Sequence, residues 1–210
     1  MADIGEEIGL FEAVYSQRQI TRYKRDPVPR EAIEKIIEAA TKAPSGGNRQ
    51  QWEFMVVTEP GLISRIGHIY REEWVSRLGA EPRPGESPVY GSARYLANHM
   101  HEAPAPILIC VDHNKGTGYT PGQPITRGAL ASSIWLAIQN LFLAARALGL
   151  GTRITTAYLS KEQEIKDMLG IPEHVETVCL PLGYPRGRFG PSDRVPAAQV
   201  TSYNRFGNRA

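Results

Sequence analysis

Residues 129–148 read ALASSIWLAIQNLFLAARAL, a run that is apolar nearly all the way round, and its reading decides the fold. Extended back to Thr126, it predicts one helix over 126–148, buried on most sides. That is long beside the ~11 to 12 residues of an average helix, and burial against both a sheet and a second subunit accounts for the length. Gly149 and Gly151 end it. Beyond lie a short strand over 153–156, a helix over 161–169, a strand over 176–182 and, from Gly183, an extended arm rich in Gly, Pro and Arg. Working back, the loop HNKGTGYTPGQP precedes the long helix, and the nearly continuous apolar run over 106–112 reads as a central strand. A helix over 89–102 leads into it. The stretch AEPRPGESP over 80–88 cannot continue a helix, so the helix over 62–78 must end before it. The strand EFMVVT over 53–58 is closed by Glu59, Pro60 and Gly61. Pro29 opens an earlier helix whose apolar face is Ala32, Ile33, Ile36, Ile37 and Ala40, and Pro44 stops it. Ile4, Ile8, Phe11 and Tyr15 mark a first amphipathic helix. Strands separated by helices, few for the chain length, indicate an α+β or α/β sandwich.

The 210 residues suit one domain able to bury a real core, with 41% hydrophobic and 22% charged residues. A balance of 24 Lys+Arg against 22 Asp+Glu leaves a net charge of +2, too little for the broad positive field of a nucleic-acid binder. No window approaches the roughly 20 apolar residues of a membrane span, and MADIGEEIGL does not read as a signal peptide. The expectation is a cytoplasmic protein, with Cys110 and Cys179 as buried thiols.

Three stretches can carry ligand chemistry. Arg18-Gln-Ile-Thr-Arg22 sets two guanidinium groups four residues apart after a helix, suited to paired recognition of phosphate, although such pairs are most often solvated surface charge. Pro44-Ser-Gly-Gly-Asn-Arg-Gln50 has two glycines that let backbone approach a ligand closely, and Ser45, Asn48 and Gln50 supply donors and acceptors for a polar ring edge. A helix cap explains the glycines equally well. His99 and His101, two apart, point about 200° from each other on a helix and do not form the i, i+4 pair of a helical zinc site. No metal is expected. Gly116-Thr-Gly118-Tyr-Thr-Pro121 has Pro where a dinucleotide fingerprint needs its third Gly, and no G-x-S-x-G nucleophile elbow occurs. Core packing or subunit contact is the default for Trp52, Trp74 and Trp135.

Taken together, the arginine pair, the following DPVP, a helix ending in APSGGN-x-Q-x-W and an apolar strand resemble the opening of nitroreductase-like flavoproteins. Gln139-Asn140, Leu148-Gly149-Leu150-Gly151, Leu169-Gly170-Ile171-Pro172 and Leu182-Gly183-Tyr184-Pro185 continue the resemblance, which spans about residues 11 to 196 and leans to the bacterial NAD(P)H nitroreductase branch through Tyr95 to Pro104. It implies a single α/β sandwich domain over 1–210. A central, mostly antiparallel sheet is flanked by helices, the long helix lies at a homodimer interface, an excursion covers about 79–95 and an arm about 184–210.

The resemblance further implies FMN between subunits and NADH or NADPH as reductant, with hydride passing through flavin N5 in ping-pong fashion to a nitroaromatic or quinone acceptor. Arg18 and Arg194 would hold the phosphate with Gln19 nearby, and Arg22 would lie near the N1 and C2 carbonyl edge. Pro44, Ser45, Gly46 and Asn48 would line the ring system, Gln50 would reach the partner's site, Thr155 and Thr156 would meet N5, and Asn98 would contact the ring or ribityl chain. No side chain is implied as a committed acid or base. Ile20 stands where the family usually has Ser, and Gln51 where it has Pro. Dehalogenation, oxidative fragmentation of flavin to a benzimidazole, and flavin binding without turnover are the alternatives within this reading.

Overall fold

A computed structural model describes residues 8–112, 114 and 127–209. The start of the first expected helix, nearly all of the loop over 113–125 and Thr126 lie outside the described residues. In chain order the helices are α1 (Leu10–Ser16), α2 (Arg30–Thr41), α3 (Pro60–Leu78), α4 (Pro88–His99), α5 (Arg127–Ala147), α6 (Glu162–Leu169) and α7 (Ala197–Val200). The strands are β1 (Trp52–Val56), β2 (Ile107–Val111), β3 (Gly151–Thr152), β4 (Glu176–Leu180) and β5 (Leu182–Gly183).

β2 pairs antiparallel with β1 on one side and β4 on the other, and β3 pairs antiparallel with β5 in a separate ribbon. All five residues of β2 are buried, as expected of a central strand. Because side chains alternate across a strand, Ile107, Ile109 and Val111 join the core built on α2 and α5, and Leu108 and Cys110 join the core built on α3, α4 and α6. The sheet is thus a filling between two helical layers. α2 starts directly after Pro29 and buries Ala32, Ile33, Ile36 and Ala40 against α5.

Two apolar faces stand exposed in the single chain, and three local expectations change. Phe11 and Tyr15, on the apolar side of the amphipathic α1, are 69% and 67% exposed, and Ala13 is the residue α1 buries. α5 is buried against the sheet side, and Trp135 and Leu136 stand 46% and 49% exposed in the single chain. The strand expected over 153–156 forms earlier, at Gly151–Thr152, because Ile20 packs directly over Gly151: a Cβ there would meet Ile20 Cγ1 at 2.6 Å. The strand over 176–182 is split at Pro181, which has no N–H to give a ladder. His99 and His101 are not opposed, since the helix tightens into a 3-10 turn over Met100–Glu102 and brings their ring centroids to 6.4 Å.

Both thiols are buried, and burial pushes Cys179 up to about 12. A half-buried carboxylate fastens β4 to α6. Glu162 Oε1 accepts from the N–H and the hydroxyl of Thr177 at 2.6 and 2.7 Å, while Lys166 Nζ lies 3.0 Å from Glu162 Oε2. With Lys166 buried, Glu162→Ala leaves that cation without a counter-ion, held by the Glu173 carbonyl at 3.1 Å, and leaves an N–H without an acceptor, and it should cost about 3 kcal/mol in urea unfolding. Loss below about 1 kcal/mol would show the pair to be solvated.

Candidate active site

The segment after α1 runs beside β3. Ile20 N–H donates to Thr152 O at 3.0 Å, and the Gln19 side-chain carbonyl accepts from Ile154 N–H at 2.9 Å. The Ile20 and Gly151 side of this seam has no room to spare, and Ile20 there is part of the core. Gly151→Ala should cost about 1 to 3 kcal/mol by overpacking and displace the 151–154 segment. Thermal unfolding reads it, and an unchanged Tm would refute the close approach.

The seam places Arg18, Gln19 and Arg153 around one cavity of about 360 Å³, closed by Arg194 and Ser192 from the C-terminal arm and by Val89 and Ser92 from α4. Gln17 and Thr21 complete it. The arm is tied down over it, since Arg18 Nη1 donates to Pro191 O at 2.5 Å and Gly190 N–H donates to Ser16 O at 3.3 Å. Among the described lining residues there are three guanidinium groups, amides and hydroxyls, and no carboxylate. Gln17 Nε2 is buried without a hydrogen-bond partner among them. A donor-rich, acid-free wall of this kind fits a phosphate.

Arg153 also lines a second cavity, of about 430 Å³, with Tyr70, Trp74, Arg77, Leu78, Tyr90 and the 154–157 segment. Thr155 and Thr156 are here. Thr155 N–H donates to Cys179 O at 3.0 Å, so it is engaged with the sheet, whereas Thr156 is exposed. Burial raises the Tyr70 phenol above its ordinary value, and the Arg153 charge pulls against that shift.

Other expected residues lie elsewhere. Arg22 is stacked on the Tyr95 ring, its Cζ 3.7 Å from the centroid, and is not part of either cavity wall. Asn98, farther along α4, accepts from Arg71 Nε at 2.9 Å and donates to Arg94 O at 3.1 Å. The loop from Pro44 to Gln50 forms a 3-10 turn over Gly46–Asn48, with Asn48 and Gln50 held at φ 54° and 51°. Ser45 Oγ accepts from Gln50 N–H at 3.1 Å, and Gly46 N–H donates to Ser133 Oγ at 3.2 Å. That anchors the loop near the start of α5, whereas Ser16 Oγ accepts from Arg146 Nε at 2.8 Å near its end. Thirteen residues of helix separate the two anchors, roughly 20 Å at 1.5 Å per residue. One protomer therefore does not bring the glycine loop to its own arginine cavity.

A family model described as Nitroreductase family matches residues 15–184. The chain belongs to the nitroreductase family. It is an oxidoreductase. Among curated relatives, NADH dehydrogenase of Thermus thermophilus is 28% identical over 195 residues, covering 90% of this chain and 92% of the relative. Iodotyrosine deiodinase 1 of Rattus norvegicus is 30% identical, covering 83% of this chain and 61% of that longer protein. A crystal structure of oxidized iodotyrosine deiodinase bound to FMN and 3-iodo-L-tyrosine superposes with a TM-score of 0.75 at 24% identity, covering 94% of this chain and all of that one. It shows the shared fold. Arg153 and Gln17 went unmarked in the sequence. Arg153 directly follows the Gly-Leu-Gly-Thr stretch over 149–152 that links α5 to β3, and that position was the available signal.

Proposed function

We propose that this nitroreductase-family chain is an FMN-dependent oxidoreductase that takes electrons from NADH or NADPH and delivers them to a nitroaromatic or quinone-like acceptor, as a homodimer. The observation that carries the reading is the acid-free cavity walled by Arg18, Arg153 and Arg194. Those guanidinium groups, with Gln17, Gln19 and Ser192, would hold the FMN phosphate, and a solved relative of the same fold binds FMN. When bound, FMN supplies a two-electron acceptor and donor at one ring position.

The chain's own residues bind and orient. Arg153 sits where the two cavities meet and ties the phosphate site to the aromatic cavity beside it. Tyr70 keeps its proton at neutral pH, since its ordinary value is already near 10 and burial moves it upward. Tyr70, Trp74 and Tyr90 offer flat apolar walls to a planar acceptor, and protons come from solvent.

A second copy supports the other half of the site. The Ser45 to Asn48 loop is anchored at the opposite end of α5 from the arginines, and Leu10, Phe11, Tyr15, Trp135 and Leu136 stay exposed on α1 and α5. A dimer packed across these helices would cover them and present the loop, with Pro44, Gly46 and Gln50, to the partner's cavity. The experiment is steady-state oxidation of NADH and NADPH by the yellow, full-length protein with a nitroaromatic and a quinone. Acceptor-dependent turnover is expected; flavin-loaded protein that binds without turning over would make it a carrier.

A further inference from the structure

The aromatic cavity carries Arg77, a cation that neither the phosphate site nor a neutral acceptor calls for, beside the Arg153 that it shares with the phosphate site. Arg77 comes from the last turn of α3 and Arg153 from the segment after β3, and neither has an ion-pair partner among the described residues. Tyr70, Trp74 and Tyr90 surround the same space, and its volume of about 430 Å³ suits a single substituted ring. Trp74 is 7% exposed, and its Nε1–H is buried with no acceptor among the described residues. With its N–H shut away from solvent, Trp74 meets a ligand through its ring and not through a hydrogen bond.

We propose that this cavity selects planar aromatic substrates that carry a carboxylate, with Arg77 as the specificity-determining cation and Arg153 supporting it. Guanidinium pairs with a carboxylate through two parallel N–H donors, and the ring lies among the aromatic walls. No carboxylate is among the described lining residues, so the α-ammonium of a zwitterionic amino acid finds no counter-ion. The class is therefore aromatic acids rather than aromatic amino acids. The assignment of these compounds as acceptors rests on the oxidoreductase reading above; their binding does not.

The test compares 4-nitrobenzoate, 4-nitrobenzyl alcohol and 4-nitrophenylalanine, titrated by calorimetry into the full-length flavin-loaded protein. Binding of the acid is expected to be about 10-fold tighter than of the alcohol, with the zwitterion no better than the alcohol, the lower end expected of a charge-assisted pair at an exposed arginine. Arg77→Met should reduce the preference for the acid to about 3-fold or less, and Arg77→Lys should restore part of it, which a purely structural role would not do. Equal binding of acid and alcohol by the unaltered protein overturns the proposal, as does a preference that Arg77→Met leaves in place. NADH-driven reduction is measured on the same samples. Selective binding without reduction leaves this inference standing and removes the reductase reading; reduction of all three without selectivity does the reverse.

Discussion

Arg153→Ala is expected to purify with little or no yellow colour and to bind added FMN about 100-fold more weakly than the unaltered chain. The size follows from removing one of three cations around a doubly charged phosphate, where each charge-assisted hydrogen bond contributes about 1.5 to 3 kcal/mol. The change should act through the phosphate and not the ring. Riboflavin, which lacks the phosphate, is the control: its affinity should move by less than about 3-fold, within the range of a small change in ring contacts. Arg18→Ala should follow the same pattern, because Arg18 lines the same cavity. Arg22→Ala should not, because that guanidinium is stacked on Tyr95. A parallel fall in FMN and riboflavin affinity would show that Arg153 supports the fold of the 151–154 segment and not a phosphate.

The second large effect belongs to the exposed face of α5. Leu136→Glu places a carboxylate where the proposed partner helix would bury it, and desolvating that charge without a partner costs several kcal/mol. Dimer dissociation should shift by about 100-fold or more, so the variant sediments as a monomer. Flavin should leave with the partner, since the loop from Ser45 to Asn48 and the arginine cavity are anchored at opposite ends of α5. The fold itself should persist, because Leu136 is 49% exposed in the protomer and contributes little to the core. A monomer that keeps stoichiometric FMN would show that one chain completes the site alone.

The layered architecture was legible wherever local chemistry and burial agree. Pro29 opens α2 and the alternation of its apolar residues matches the face it buries; the unbroken run of β2 belongs to a strand covered on both sides. The misjudged elements depend on contacts distant in sequence. β3 lies before Arg153 because Ile20 closes on Gly151, a contact that no local pattern announces. The apolar side chains of α1 have the spacing of a buried helix and are nonetheless exposed, since periodicity shows which face is apolar and not what covers it. The same limit separates the site residues. Arg18, Gln19 and Arg194 meet around one cavity, while Asn98 spends its amide on Arg71 and the Arg94 carbonyl. Arg153 hid in a stretch that reads as a strand, where an arginine looks like an outward-facing charge.

The most direct test of the account is anaerobic mixing of the purified, flavin-loaded protein with NADH or NADPH, followed by addition of a nitroaromatic or quinone. The visible flavin absorbance should bleach with one equivalent of nicotinamide per chain and return when the acceptor is added. Absorbance that stays unchanged with both nicotinamides would contradict it.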